Sequence, residues 1–294
     1  MKKLEGTGVA LVTPFNKDKE IDFEGLENLL VHTAQGVDYF VVMGTTGESA
    51  TLSHDEKLAV LDFVKKHNPK KLPIVYGIGG NNTQQVVDAI QEAPLRGVDA
   101  ILSVSPYYNK PSQEGIYQHF KAIAKVSPRP IVLYNVPGRT ASNITAATTL
   151  RLAALPKIVA VKEASGNLEQ CMNIARDKPK DFSLISGDDL LTSSFYAMGG
   201  AGVISVLANA FPKVFKSIKD YSAKSNFKKS AQEQFKLLDI NGPMYEEGNP
   251  VGVKLVLKEL GVCEEYTRLP LTTASKSLQK RIIQLMQPLI TKKG

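Results

Sequence analysis

Eight runs of apolar residues punctuate the first three quarters of the chain, at 9–15, 39–44, 73–77, 100–106, 131–136, 158–164, 182–187 and 202–208. Each is followed by a stretch in which apolar residues recur at helical spacing. Continuous apolar strands separated by helices imply a parallel sheet covered by helices. Eight such units predict a (β/α)8 barrel. A doubly wound open sheet shares the local pattern and stays as the alternative. Leu26, Leu29, Leu30 and Thr33 share one helical face, with Gly36 placed to close that helix. Ser53 and Glu56 form a capping-box pattern ahead of Leu58, Leu61 and Val64. Beyond residue 224 the strand pattern stops. Residues 232–240, 250–260 and 273–290 read as helices, with Asn249 as an N-cap, Pro250 in the first turn and Gly261 at the end of the middle one. No linker rich in Pro, Gly or Ser intervenes. The expected organisation is therefore a barrel over 1–224 and a helical domain over 225–294 packed on it.

Composition narrows the class. The 294 residues are 43% hydrophobic and 22% charged, as in ordinary soluble globular proteins. No apolar run reaches the ~18 residues needed to span a bilayer, and the first six residues carry no secretory pattern. Two cysteines, Cys171 and Cys263, imply a reducing compartment without a disulfide framework. A cytoplasmic protein with no membrane partner is expected. The net charge of +7 is spread over lysine pairs such as Lys65-Lys66 and Lys228-Lys229, mostly at expected helix ends. No basic run interleaves with aromatics, so a lysine-rich surface explains the charge better than a nucleic-acid site.

Lys162 breaks the apolar run Ile-Val-Ala-Val-Lys-Glu-Ala. A lysine does not belong inside an apolar strand unless it is paired or used. Alternation places Val159 and Val161 on one face, and Ala160, Lys162 and Ala164 on the other. The bulky face suits packing against helices, while the small residues leave room around the amine. Desolvation disfavours the charged amine, which suits a Schiff-base nucleophile. The competing reading is a strand-end lysine that reaches water or pairs with Glu163.

Barrel enzymes gather their chemistry at the C-terminal ends of the strands. The second strand ends in Gly44-Thr45-Thr46-Gly47-Glu48, whose hydroxyls and backbone N–H groups suit a carboxylate; a tight turn with solvated threonines is the alternative. After the third, Gly77-Ile78-Gly79-Gly80 has the wrong spacing for a dinucleotide fingerprint. After the fourth, Tyr107 and Tyr108 offer either packing or hydroxyls for proton transfer. In the fifth, alternation turns Tyr134 with Val132 toward the lumen. Arg139 follows in a loop, either as a clamp for a carboxylate or as an exposed arginine. Asp188 and Asp189 read as helix caps rather than metal ligands. Gly199, Gly200 and Gly202 mark tight turns near the lumen. All four histidines, His32, His54, His67 and His119, fall on helical stretches without a neighbouring ligand set, which argues against a zinc aldolase. No nucleophile elbow is present. Amine catalysis by Lys162 remains, against a non-catalytic ligand-binding barrel in which Lys162 only forms an ion pair.

Taken together, residues 8–15, Gly44–Glu48, Tyr134–Thr140 and Lys162–Asn167 resemble the dihydrodipicolinate synthase and N-acetylneuraminate lyase family of class I aldolases, over nearly the whole chain. The resemblance implies a (β/α)8 barrel with a C-terminal helical extension, assembled as a homotetramer of tight dimers. It also implies chemistry through a covalent pyruvate imine on Lys162, with no metal or organic cofactor. Tyr134, Thr45 and Tyr108 match a proton-relay triad, with Tyr108 serving a neighbouring subunit. Thr45 and Thr46 match the pyruvate-carboxylate cradle, and Ile204 the position whose backbone carbonyl lines the site. The Gly-Arg-Thr at Arg139 and the Tyr-Tyr-Asn-Lys-Pro run point to the synthase branch, which condenses pyruvate with L-aspartate 4-semialdehyde in the diaminopimelate route to lysine. An aldolase acting on a 2-keto sugar acid is the alternative. Ser49, Ala50, His54, Asn81 and Tyr107 match positions that bind feedback lysine in sensitive members. Lys57 and Gln85 stand where those members carry histidine and glutamate, so weak or absent lysine inhibition is expected.

Overall fold

The computed structural model describes residues 4–290. Eight strands, β1 (Gly6–Ala10), β2 (Tyr39–Val42), β3 (Ile74–Gly77), β4 (Ala100–Val104), β5 (Ile131–Asn135), β6 (Ile158–Glu163), β7 (Ser183–Ser186) and β8 (Gly202–Ser205), pair in parallel, each with the next. The ring closes where Gly6–Val9 of β1 meets Gly202–Ser205 of β8, which excludes the open sheet. The helices between and after the strands are α1 (Phe23–Thr33), α2 (His54–His67), α3 (Thr83–Glu92), α4 (Gln113–Val126), α5 (Pro137–Thr140), α6 (Ala146–Ala153), α7 (Leu168–Asp177), α8 (Thr192–Ala197) and α9 (Pro212–Ala223). Four more follow: α10 (Phe227–Phe235), α11 (Leu238–Tyr245), α12 (Val251–Glu259) and α13 (Lys276–Ile290). No helix of the described residues is long and apolar enough to cross a membrane.

Side chains alternate between two cores. Val41, Val75, Leu102, Val132, Ala160, Ile185 and Ile204 fill the barrel, while Phe40, Val42, Ile101, Leu133, Val161 and Leu184 face the helices. The stripe Leu26, Leu29, Leu30 and Thr33 of α1 is buried as its spacing predicts. Each fully buried leucine there contributes about 1.5–3 kcal/mol. The Ser53–Glu56 capping box at α2 forms both of its reciprocal hydrogen bonds. Gly261 follows α12 with φ +69° and donates its N–H to the Lys258 carbonyl, ending that helix as expected.

Several local expectations change. β1 starts three residues before the apolar run. Gly8 is required there because any side chain would strike the Tyr39 ring inside the barrel. Past Ala10 the seam between β1 and β8 is held by a side chain. Buried Asn209 donates to the carbonyls of Ala10 and Val206 (both 2.8 Å) and accepts from the Val12 N–H (3.2 Å). Gly36 does not close α1, which ends at Thr33; it lies against the Pro212 backbone, where a Cβ has no room. Residues 232–240 span the break between α10 and α11 rather than one helix. Helix α12 starts at Val251, so Asn249 is not its cap.

Candidate active site

Strand β6 delivers Lys162 into the barrel near its C-terminal end. The alternation around it has one defect. A register shift against β5 pairs Ile158 with Ile131 and Ala160 with Val132, leaving Val159 as an extra residue. Val159 therefore packs toward the barrel interior and does not share the outer face with Val161. From Ala160 onward alternation holds. Lys162 is 5% exposed, and its Nζ stands 4.2 Å from the centre of the Tyr134 ring, its register partner on β5. A cation over a tyrosine face gains about 0.5–2 kcal/mol, more when desolvated. Lys162 does not pair with Glu163, which points to the helix side and accepts hydrogen bonds from Asn135, Gln170 and the Ser165 N–H. Space around the amine is set by Gly187 after β7. A Cβ there would lie 2.6 Å from Ala164 Cβ and 3.1 Å from Lys162 Cε.

The turn after β2 presents Thr45, exposed, and Thr46, buried, in a 3-10 turn (Thr45–Gly47). Residues beyond 224 hold this turn from behind. Asn249 Nδ2 donates to Thr46 Oγ1 (3.0 Å). Glu48, in left-handed backbone at φ 53°, is buried and ion-paired with Lys254 of α12 (2.6 Å). It also accepts the Arg268 N–H (3.0 Å). Lys254 donates further to the Tyr266 carbonyl (2.7 Å) and lies over the Phe15 ring. A fully buried pair of this kind holds its partners in one geometry, because removing either leaves an uncompensated charge.

Arg139 rides on α5, a single helical turn after β5. The turn is anchored by buried Thr140, whose hydroxyl donates to the Ser142 carbonyl (2.7 Å) and reaches the Val136 carbonyl (3.2 Å). Arg139 itself is exposed and forms no ion pair among the described residues, so its five donors are open. Tyr107 and Tyr108 sit in the loop after β4, and Tyr108 is 87% exposed with φ 72°. Non-glycine residues with positive φ recur after the catalytic-face strand ends: Met43 and Glu48 after β2, Tyr108 and Lys110 after β4, Ala141 after β5. Left-handed backbone at such residues costs about 1–3 kcal/mol each and persists where the surroundings over-determine it. Ile204 is buried in the barrel core on β8. Ser49 and Ala50 lie in a 3-10 turn (Ser49–Thr51) and His54 opens α2. Asn81 follows β3, and its carbonyl accepts from Asn109 (3.0 Å) beside Tyr107.

Lys162 and Tyr134 are thus brought together, with the Thr45–Thr46 turn and the Arg139 turn at the same end of the barrel. Tyr108 extends outward. Two features at this end escaped the sequence reading. Asp188 caps the next turn by accepting the Leu190 N–H (2.9 Å), as expected. Asp189 does something else: it is buried, accepts the N–H groups of Val206 (3.2 Å) and Leu207 (3.1 Å), and takes a hydrogen bond from Tyr245 Oη (2.9 Å). Burial pushes the Asp189 carboxyl up, and burial with the Asp189 charge pushes Tyr245 well above the usual tyrosine range, so the phenol stays the donor. The other missed group is Asn249, Lys254 and Arg268. Lys254 did carry a signal, since it interrupts the apolar run 251–257 as Lys162 interrupts 158–164. A separate hollow of about 580 Å³, lined by Asp38, Lys178, Lys180, Tyr196 and Lys219 among others, opens at the opposite, N-terminal end of the strands.

Comparison with known proteins accords with this geometry. The chain is 47% identical over 285 residues to the 4-hydroxy-tetrahydrodipicolinate synthase of Cytophaga hutchinsonii, covering 97% of this chain and 96% of that one. It is 44% identical over 280 residues to the enzyme of the same name from Neisseria meningitidis, covering 95% and 96%. Among solved structures, dihydrodipicolinate synthase from Thermotoga maritima superposes with a TM-score of 0.94 at 35% identity, covering 97% of this chain and 98% of that one. The chloride-inhibited dihydrodipicolinate synthase from Acinetobacter baumannii complexed with pyruvate gives 0.94 at 35% identity, covering 98% and 100%. With residues 3–289 matching its family pattern, the chain belongs to the dihydrodipicolinate synthetase family.

Proposed function

We propose that this chain is a 4-hydroxy-tetrahydrodipicolinate synthase, working in the cytoplasm and joining pyruvate to L-aspartate 4-semialdehyde through an imine on Lys162. The observation that carries the residue assignment is the buried Lys162 amine, unpaired with any carboxylate of the described residues and set against the Tyr134 ring at the C-terminal end of a closed barrel. The amine attacks the C2 carbonyl of pyruvate, and the carbinolamine loses water to give an iminium. The iminium draws electrons from C3, which releases a proton and leaves an enamine. Enamine C3 then forms a bond to the aldehyde carbon of the second substrate, whose oxygen takes up a proton. The second substrate's own amine displaces Lys162 from C2, closing the ring and restoring the enzyme.

Tyr134, Thr45 and Tyr108 carry protons between these steps, with Tyr108 acting in the site of a neighbouring copy. Its 87% exposure supports that role, as it faces away from its own chain. Thr45 and Thr46 hold the pyruvate carboxylate with backbone N–H groups of their turn, and the Ile204 carbonyl lines the site. Arg139, open and fork-shaped, receives the carboxylate of the semialdehyde. The Ser49, Ala50, His54, Asn81 and Tyr107 cluster is a weak lysine site at most, since Lys57 adds a cation and Gln85 removes an anion. Sub-millimolar L-lysine is expected to leave steady-state turnover unchanged, and inhibition there would overturn that reading.

The test is borohydride reduction in the presence of pyruvate, followed by peptide mass mapping. A reduced pyruvate adduct on Lys162 is expected, and none in Lys162→Ala. A coupled assay with pyruvate and aspartate semialdehyde should show condensation. Cleavage of a 2-keto sugar acid without condensation would transfer the chain to the aldolase reading.

A further inference from the structure

Glu163 lies one residue past Lys162, on the opposite face of β6, and is 1% exposed. Asn135 lies one residue past Tyr134 on β5. The two pairs share register, Tyr134 with Lys162 inside the barrel and Asn135 with Glu163 on the helix side. Asn135 Nδ2 donates to both carboxylate oxygens of Glu163 (3.0 and 2.9 Å). Gln170 Nε2 of α7 donates at 3.0 Å and the Ser165 N–H at 2.8 Å.

The orientation of these amides is fixed by backbone groups. Asn135 Oδ1 accepts the Ile144 N–H (2.9 Å), so its nitrogen must face Glu163. Gln170 Nε2 also donates to the Ile144 carbonyl (3.2 Å), so it too is turned donor-first. Among the described residues the Glu163 carboxylate therefore meets only donors and has no acceptor for a proton of its own, which is the pattern of an ionised group. No ion pair forms at Glu163 among the described residues. The elements packed on it contribute Asn135 from β5, Ser186 from β7, Asn143 and Ile144 from the loop before α6, and Gln170 and Cys171 from α7. Cys171 is the titratable one, and burial together with the Glu163 charge pushes its thiol up to about 12. On the barrel side, Lys162 faces Tyr134, and Tyr245 with its Asp189 partner lies beyond.

A buried anion without a cation is costly unless its hydrogen bonds and a positive charge within range offset it. Imine formation places a cation on the neighbouring residue, across β6 from Glu163 and inside the barrel, where the amine has no carboxylate partner among the described residues. We propose that Glu163 is a positioning residue for the Schiff-base chemistry. Its ionised carboxylate locks β5 to β6, so that Tyr134 and Lys162 stand side by side, and supplies the fixed counter-charge of the cationic imine. The same amides tie down Ile144, so the network also steadies the loop that follows Arg139. This inference rests on Lys162 being the Schiff-base lysine.

The experiment is borohydride trapping of pyruvate by the full-length protein across pH, with pyruvate KM measured in parallel. A negative charge favours both the ammonium and the iminium, so removing it moves both limbs of the trapping profile to lower pH. Glu163→Gln is expected to shift them down by roughly half to one pH unit and to raise pyruvate KM. Glu163→Asp keeps the charge and should keep the wild-type limbs even where turnover falls. Gln170→Lys neutralises the carboxylate in place, should shift the limbs as Glu163→Gln does, and carries the test if that variant does not fold. Unshifted limbs in the charge-removing or charge-neutralising variant, or an equal shift in Glu163→Asp, would overturn the proposal. Absence of any adduct in the wild type would instead overturn the role given to Lys162.

Discussion

Lys162 and Lys254 begin from the same anomaly, an amine inside an apolar segment, and the structure separates them by their partners. Lys254 is fully buried and neutralised by Glu48 at 2.6 Å. Lys162 has an aromatic face beside it and, among the described residues, no carboxylate. The sequence shows both amines as interruptions of apolar runs but cannot show the partners, since Glu48 lies about 200 residues from Lys254 and meets it only in three dimensions. Gly187 is legible only afterwards, because its requirement comes from side chains on β6. We expect Gly187→Ala to crowd Lys162 Cε and Ala164 and to slow pyruvate trapping at least about tenfold, with the thermal midpoint moving by only a few degrees. Trapping at the wild-type rate would show that the amine has room to spare. Arg139→Ala should leave pyruvate trapping intact and raise KM for the semialdehyde, by about one to two orders of magnitude for a lost charge-assisted pair. Equal loss of the pyruvate adduct would remove Arg139 from that role.

At the level of elements, the succession of strands and helices along the chain and the helix faces were readable because period-two and period-3.6 patterns act locally. What periodicity could not show is how the last quarter of the chain grips the turn that carries Thr45 and Thr46. Asn249 reads in sequence as a helix cap, yet its amide is spent on Thr46. The grip gives two expectations. Lys254→Met strands the Glu48 carboxylate without its cation and should cost about 3–5 kcal/mol. The double variant with Glu48→Gln should recover part of that loss in urea unfolding, and strict additivity would show that the pair does not act as a unit. The second concerns pH. The Arg268 hydrogen bond beside Glu56 holds its carboxyl down from 4.5 to about 2. Because the folded value lies below the unfolded one, the stabilisation is full above about 4.5 and fades as pH falls toward about 2. The stability gap between wild type and Glu56→Gln should close over that interval, and a gap unchanged from pH 7 to pH 2 would exclude this source.

For the whole molecule, the barrel was legible from eight repeated units, whereas assembly leaves no periodic trace in one chain. Aromatic and apolar side chains are left outside, among them Tyr107 and Tyr108 after β4, and Leu168 and Met172 on α7. Tyrosine presented on strained backbone, with its ring in solvent, is the kind of anchor that a partner surface covers. If Tyr108 completes a neighbour's site across a two-fold interface, the defect of one chain can be repaired by another. Lys162→Ala lacks the nucleophile but offers an intact Tyr108; Tyr108→Phe has the nucleophile but lacks the relay hydroxyl. Each alone should be crippled, the first through loss of the adduct and the second by about 10²–10⁴ in turnover. Dissociated, mixed in equal parts and reassembled, half of the pairs would be hybrids with one of two sites whole, so activity should return to about one quarter of wild type. A mixture that stays at the sum of its parts would place Tyr108 in its own chain's chemistry or in none, and the exposed loop after β4 would then serve association alone.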